Sequence, residues 1–229
     1  MRTVHFRLLA LSAAAVLTFA GNAAAQVKPS GLLNDVEVRQ LVTRAEPGDQ
    51  AQLSTHFTAL ADRYAAEAKR HISMSQSFVG NPSRNLGTGM SAHCKQLANL
   101  NKQSETTLRE LAAYHTKLAS GTPATPPKDG ARFQGGAGAP KPTEKELNAL
   151  AAKASTPAEH RGLEEYFLML AKRYTADANG HVALAQAYRG TRLAQAAVLH
   201  DRLADLSREA AKEATAGAEM HKGLAGVAR

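Results

Sequence analysis

Four side chains with an affinity for transition metals sit at matched places in this chain: His71 and Cys94 in its first half, His181 and His200 in its second. Glu67 lies four residues before His71, and Asp177 four before His181. On helices, each carboxylate would stand one turn from its histidine on the same face. Imidazole, thiolate and carboxylate make a ligand set for zinc, copper or another late transition metal, and a poor one for calcium or magnesium. His56, His115 and His221 could add a second polar layer. His93, next to Cys94, is expected to flank the site, and His160 to be exposed.

The same residues admit a plainer role. Buried histidine and tyrosine in long helices often hydrogen-bond to a facing helix and do nothing more. A helix also drifts against a seven-residue grid, so Ala68 and Ala178 could take the inward place and leave Glu67 and Asp177 at the flank. No C-x-x-C, H-E-x-x-H or E-x-x-H spacing occurs, and no glycine-rich phosphate loop follows a strand pattern. An enzyme is therefore not expected.

The elements that would position these groups come as a repeat. The run from Leu60 to His71 returns 110 residues later, from Leu170 to His181, with seven of its twelve positions identical. A second block returns after 106 residues, pairing Leu97 with Leu203, Leu100 with Leu206 and His115 with His221. Such self-similarity implies two copies of one supersecondary unit, each burying its apolar face against the other. Alanine, leucine and charged residues dominate, and no run shows the period-two alternation of a strand. The expected fold is all-α.

Each copy reads as a short helix followed by two long ones. Short helices are expected at 34–45 and 143–154, and long ones at 48–79, 90–120, 157–188 and 193–225. Thr156, Pro157 and Glu159 form a strong start signal: a cap, a proline in the first turn and a reciprocal carboxylate. The breaker-rich stretch 80–89 reads as a long loop, whereas Arg189-Gly190-Thr191 forces a tight hairpin. That difference accounts for the repeat offset falling from 110 to 106. Two helical hairpins in one chain most simply make a four-helix bundle. On a heptad grid Phe57, Tyr64, His71 and Phe78 share one seam, answered by Phe167, Tyr174, His181 and Tyr188.

The domain plan is a signal segment at 1–25, a first repeat at 26–120, a linker at 121–142 and a second repeat at 143–229. Ten of the 22 linker residues are glycine or proline. Stretched, the linker would span roughly 70 Å, more than the roughly 46 Å of a 31-residue helix, so it leaves the docking direction of the second hairpin open. With both turns at one end, His71, Cys94, His181 and His200 would converge as a tetrahedral Cys-His₃ set. Docked head to tail, they would form two half-sites.

Arg2 and Arg7, the apolar run from Leu8 to Ala20 and the small residues at 23–25 resemble a cleavable export signal ending before Gln26. The apolar run is shorter than the roughly 20 residues of a membrane span. A periplasmic or secreted location follows. Without Arg2 and Arg7, 26 basic residues face 20 acidic ones, a net charge of +6 spread along helices. That permits loose attraction to an anionic envelope, and argues little for nucleic acid. Cys94 is the sole cysteine, so no disulfide can form within the chain. An envelope protein or a second copy is the partner to consider.

The run Ala92-His93-Cys94-Lys95-Gln96-Leu97-Ala98 and the repeated L-A-x-R-Y…A…H resemble a group of uncharacterised exported all-helical bacterial proteins with a duplicated hairpin. The resemblance covers both hairpins, not the linker, and implies a fold and no activity.

Overall fold

The computed structural model describes residues 31–81, 84–120 and 143–227, and over those residues the chain forms six α-helices and no strand. The expected signal segment and linker lie outside the described residues. In chain order the helices are α1 (Asp35–Arg44), α2 (Pro47–Val79), α3 (Arg84–Ala119), α4 (Glu144–Lys153), α5 (Pro157–Tyr188) and α6 (Ala194–Val227).

Their starts follow the capping chemistry of the sequence. The Asn34 side chain accepts from the N–H groups of Val36 and Glu37, and the Glu37 carboxylate accepts in return from the Asn34 N–H. Thr143 with Glu146 and Thr156 with Glu159 repeat this reciprocal box, and Pro157 opens α5 where a missing N–H costs nothing. Asp49 accepts from the Glu46 N–H and from Arg44, tying the end of α1 to the start of α2. Gly190, with φ of 79°, supplies the left-handed residue that turns α5 into α6.

The connection before α3 is shorter than the sequence implies. Helix α3 begins at Arg84, six residues before the expected start, and Gly87 and Gly89 lie inside it. Glycine weakens a helix by about 1 kcal/mol relative to alanine, but tertiary packing outweighs that here. A Cβ on Gly89 would stand 3.1 Å from Met220 Cε, so the glycine lets α6 lie close.

The heptad seam is the core. Phe57, His71, Phe78, Phe167, Tyr174 and Tyr188 are fully buried. Helices α2 and α3 pack along their length, as do α5 and α6, and α3 joins the two pairs by packing on α6. Side chains set the directions. Arg63 reaches Asp177 at 3.2 Å and Arg173 reaches Glu67 at 2.9 Å, so α2 and α5 run antiparallel. His93 pairs with Glu213 and Gly89 lies under Met220, so α3 and α6 also run antiparallel. The turn after α2 and the turn after α5 therefore lie at opposite ends.

The short helices α1 and α4 each contact both α2 and α5. Val38, Leu41 and Val42 of α1, and Leu147 and Ala151 of α4, are buried. Asn81 donates to the carbonyls of Ala151 and Ala154, capping the end of α4 from the turn after α2.

Candidate functional site

Two seven-residue stripes place the chemistry. On α5 one stripe reads His160, Phe167, Tyr174, His181, Tyr188; on α6 it reads His200, Ser207, Ala214, His221. All nine residues are buried. Antiparallel pairing brings the two ends of these stripes together as two histidine pairs.

His181 Nδ1 lies 3.2 Å from His200 Nδ1. His200 is stacked on Tyr188 with ring centroids 5.4 Å apart, and Phe57 meets it edge-on at the same distance. Its Nε2 is buried without a hydrogen-bond partner. His56 opposes the protonation of His200 and is itself opposed by His181, and its Nδ1 accepts from the Leu33 N–H at 2.9 Å. His115 lies beside this group with both nitrogens engaged. Nδ1 donates to Gln50 Oε1 at 2.7 Å, and Tyr188 donates its hydroxyl to Nε2 at 3.2 Å.

At the other end of α5, His160 Nδ1 lies 3.3 Å from His221 Nδ1. His221 stacks on Phe167, and Phe78 flanks it. Phe78 stands 110 residues before Tyr188 but has no hydroxyl, so His221 Nε2 stays without the partner that His115 has. His160, expected on the surface, is buried, with 4% of its area exposed. The missed signal was its place one heptad before Phe167, where α5 already faces inward. His93 is half-buried against Glu213 of α6.

The remaining expected ligands are held apart. Arg63 opposite Asp177 and Glu67 opposite Arg173 set the register of α2 on α5. His71 is thus level with residue 169, twelve residues or about 18 Å from His181 along the axis. Head-to-tail packing separates His71 and Cys94 from His181 and His200, and the convergent Cys-His₃ arrangement does not form. His71 and Cys94 keep their common level: Ser75 and Ser91 face each other at 3.2 Å, and one turn further from the loop lie His71 and Cys94. Both are fully buried, and neither His71 nitrogen has a partner.

Glu67 and Asp177 accept hydrogen bonds from arginines, not from imidazoles. Glu67 takes Arg70 and Arg173, and Asp177 takes Arg63 and the Tyr64 hydroxyl at 2.9 Å. Burial would raise the Glu67 pKa, but the two guanidinium groups outweigh it and hold the carboxyl below its usual range. Among the described residues, no three His, Cys, Asp or Glu side chains form a group able to hold a metal ion.

Burial also sets the protonation of the imidazoles. It lowers His56, His71, His115 and His181 to about 4 and His221 to about 3, and it takes His200 well below its ordinary value. These rings are neutral at pH 7. Burial, with Glu213 nearby, pushes the Cys94 thiol up to about 12. A buried thiol is a weak nucleophile. Cys94 is therefore expected to resist iodoacetamide in the native protein and to alkylate once urea unfolds it; mass spectrometry reads both states, and fast native alkylation would show that the thiol is reachable. No protein-family model, curated protein or solved structure matches the chain.

Proposed function

We propose that this is an exported, non-catalytic helical protein that binds a transition metal, zinc or copper, at inward histidines, with His181 and His200 as the primary pair. The fold behind this reading is a four-helix bundle made by duplication of one helical hairpin, with a short helix before each copy. Contacts that recur at the repeat offsets support the duplication. Arg63 with Asp177 matches Arg173 with Glu67, and Gln50 with His115 matches His160 with His221. Export rests on the signal-like segment 1–25. No described helix is long and apolar enough to cross a membrane.

The observation that carries the metal reading is the 3.2 Å between His181 Nδ1 and His200 Nδ1. Two nitrogens each about 2.0–2.1 Å from a tetrahedral zinc lie about 3.3 Å from one another. The pair already stands at the edge length of such a site. Both rings are neutral at pH 7, so binding would displace few protons. His56 and His115 are the neighbouring imidazoles that act on His200. His71 with Cys94 is the corresponding half-site in the first hairpin.

A second reading, an envelope interaction or stress-protective protein without metal, is favoured by the lack of any three-ligand group among the described residues. Each histidine pair would then be an N–H···N hydrogen bond. Calorimetric titration with zinc and with copper separates the two. Wild type is expected to bind, and the double variant His181→Leu/His200→Leu to bind at least tenfold more weakly while keeping its helical circular dichroism. Replacing both partners of a buried hydrogen bond by apolar groups of similar size can be nearly neutral for stability, so the variant should fold. Equal affinity of the two proteins would leave these histidines as core hydrogen-bonders.

A further inference from the structure

Unpartnered buried polar atoms are not spread evenly through the core. Of the ten buried side-chain nitrogens and oxygens without a hydrogen-bond partner among the described residues, six belong to Glu67, Arg70, His71, Tyr166 and Arg173. They are Glu67 Oε2, Arg70 Nε, both His71 nitrogens, the Tyr166 hydroxyl and Arg173 Nε. On α2, Arg70 lies three residues after Glu67 and His71 four, so each stands one turn from Glu67 on a different side of it. On α5, Tyr166 and Arg173 are seven residues apart and face α2. Tyr166 feels the charges of Glu67, Arg70 and Arg173, which places these four residues in one neighbourhood. An orphaned buried polar group costs about 1–3 kcal/mol, so such a concentration calls for a cause.

The charges are unbalanced as well. Glu67 Oε1 accepts from Arg70 Nη1 at 3.0 Å and from Arg173 Nη1 at 2.9 Å. Two guanidinium groups thus share one carboxylate, leaving a net charge of +1. The contact at Asp177 shows the balanced alternative. Among the described residues Arg63 is the one arginine within ion-pair distance of Asp177, and Gly180 stands where a second would be, 110 residues after Arg70. Tyr64 donates its hydroxyl there, while Tyr166 keeps its own free.

We propose that the cluster of Arg70, Arg173 and Tyr166 binds a small oxyanion of the carboxylate or phosphate class. Arg70 Nε–H, Arg173 Nε–H and the Tyr166 O–H supply three donors. Guanidinium edges match the paired oxygens of such anions, and charge-assisted bonds are the strong ones. The bound charge would neutralise the excess +1 and satisfy the orphaned donors. The site is reachable, because the Arg70 and Arg173 side chains are 31% and 24% exposed. It shares no donor with the His181–His200 pair, so it stands or falls independently of the metal reading.

The test uses the full chain in sodium phosphate, in sodium acetate and in sodium chloride at matched ionic strength and pH 7.5. Thermal unfolding is expected to shift upward, saturably, with phosphate or acetate and not with chloride. The arm that responds assigns the anion class. Tyr166→Phe and Arg70→Gln should each weaken the response at least tenfold. In chloride, Tyr166→Phe should be as stable as wild type or more so, since it removes an orphaned hydroxyl, and that result shows the variant is folded. No saturable shift in wild type beyond chloride, or an undiminished shift in both variants, would overturn the assignment.

Discussion

Taking the protein from pH 7 to pH 4.5 is expected to unfold it in one cooperative step, seen as loss of helical circular dichroism. The cause is the number of neutral imidazoles in the core. His56, His71, His115 and His181 fall to about 4 and His221 to about 3 in the folded chain, driven by burial. Unfolded, each titrates near about 6.5. Between these values the unfolded chain binds more protons than the folded one, so stability rises with pH across the window. The contribution is fully present above pH about 6.5 and is lost as the pH falls toward 4. At pH 5 each such histidine costs about 2 kcal/mol, and five together about 10 kcal/mol. That equals the whole stability of an ordinary domain, about 5–15 kcal/mol. Glu67, held low by Arg173 and Arg70, works in the same direction at still lower pH. A melting temperature unchanged between pH 7 and pH 5 would mean that these rings are hydrated or charged in the native protein.

The helices were legible in the sequence because caps and heptads are local. Thr156, Pro157 and Glu159 announce the start of α5, and the seam predicted through Phe57, Tyr64, His71 and Phe78 is buried along its length. The pairing of His181 with His200 was legible too, since a tight turn at Gly190 fixes the register of α5 on α6. What was not legible depends on contacts between the packed pairs. Gly89 reads as a breaker because a sequence does not display the α6 side chain, Met220, that packs over it in α3. Nothing local sets the docking direction, so the sequence left convergence of four ligands open. The register of Arg63 on Asp177 and of Arg173 on Glu67 decides it, and in doing so turns the two carboxylates away from the imidazoles. His160 differs from its expected exposed position because the inward stripe of α5 begins one heptad before Phe167.

The close approach of α6 to a core aromatic ring gives the other large expected effect. Phe167 is fully buried and stacked on His221, and Gly217 of α6 lies against its ring. A Cβ on Gly217 would stand 3.1 Å from Phe167 Cδ1 and 3.3 Å from Cγ. Leu111, which lies 106 residues earlier, fills the corresponding place on α3 and is fully buried. Gly217→Leu would drive three further carbons into a ring that has no room to retreat. The gain in helix propensity, about 0.8 kcal/mol, is smaller than the expected overpacking cost of about 3 kcal/mol. Phe167→Ala removes the ring instead and should cost about 3–5 kcal/mol through the cavity it leaves. Combined, the two changes compensate, because the leucine enters the space vacated by the ring. The double variant is expected to be at least about 2 kcal/mol more stable than the sum of the single effects predicts, a coupling typical of residues in direct contact. Urea unfolding of the four proteins measures it. Additive losses would show that Gly217 and Phe167 do not share this space in solution, and that α6 sits further from α5 than the core described above requires.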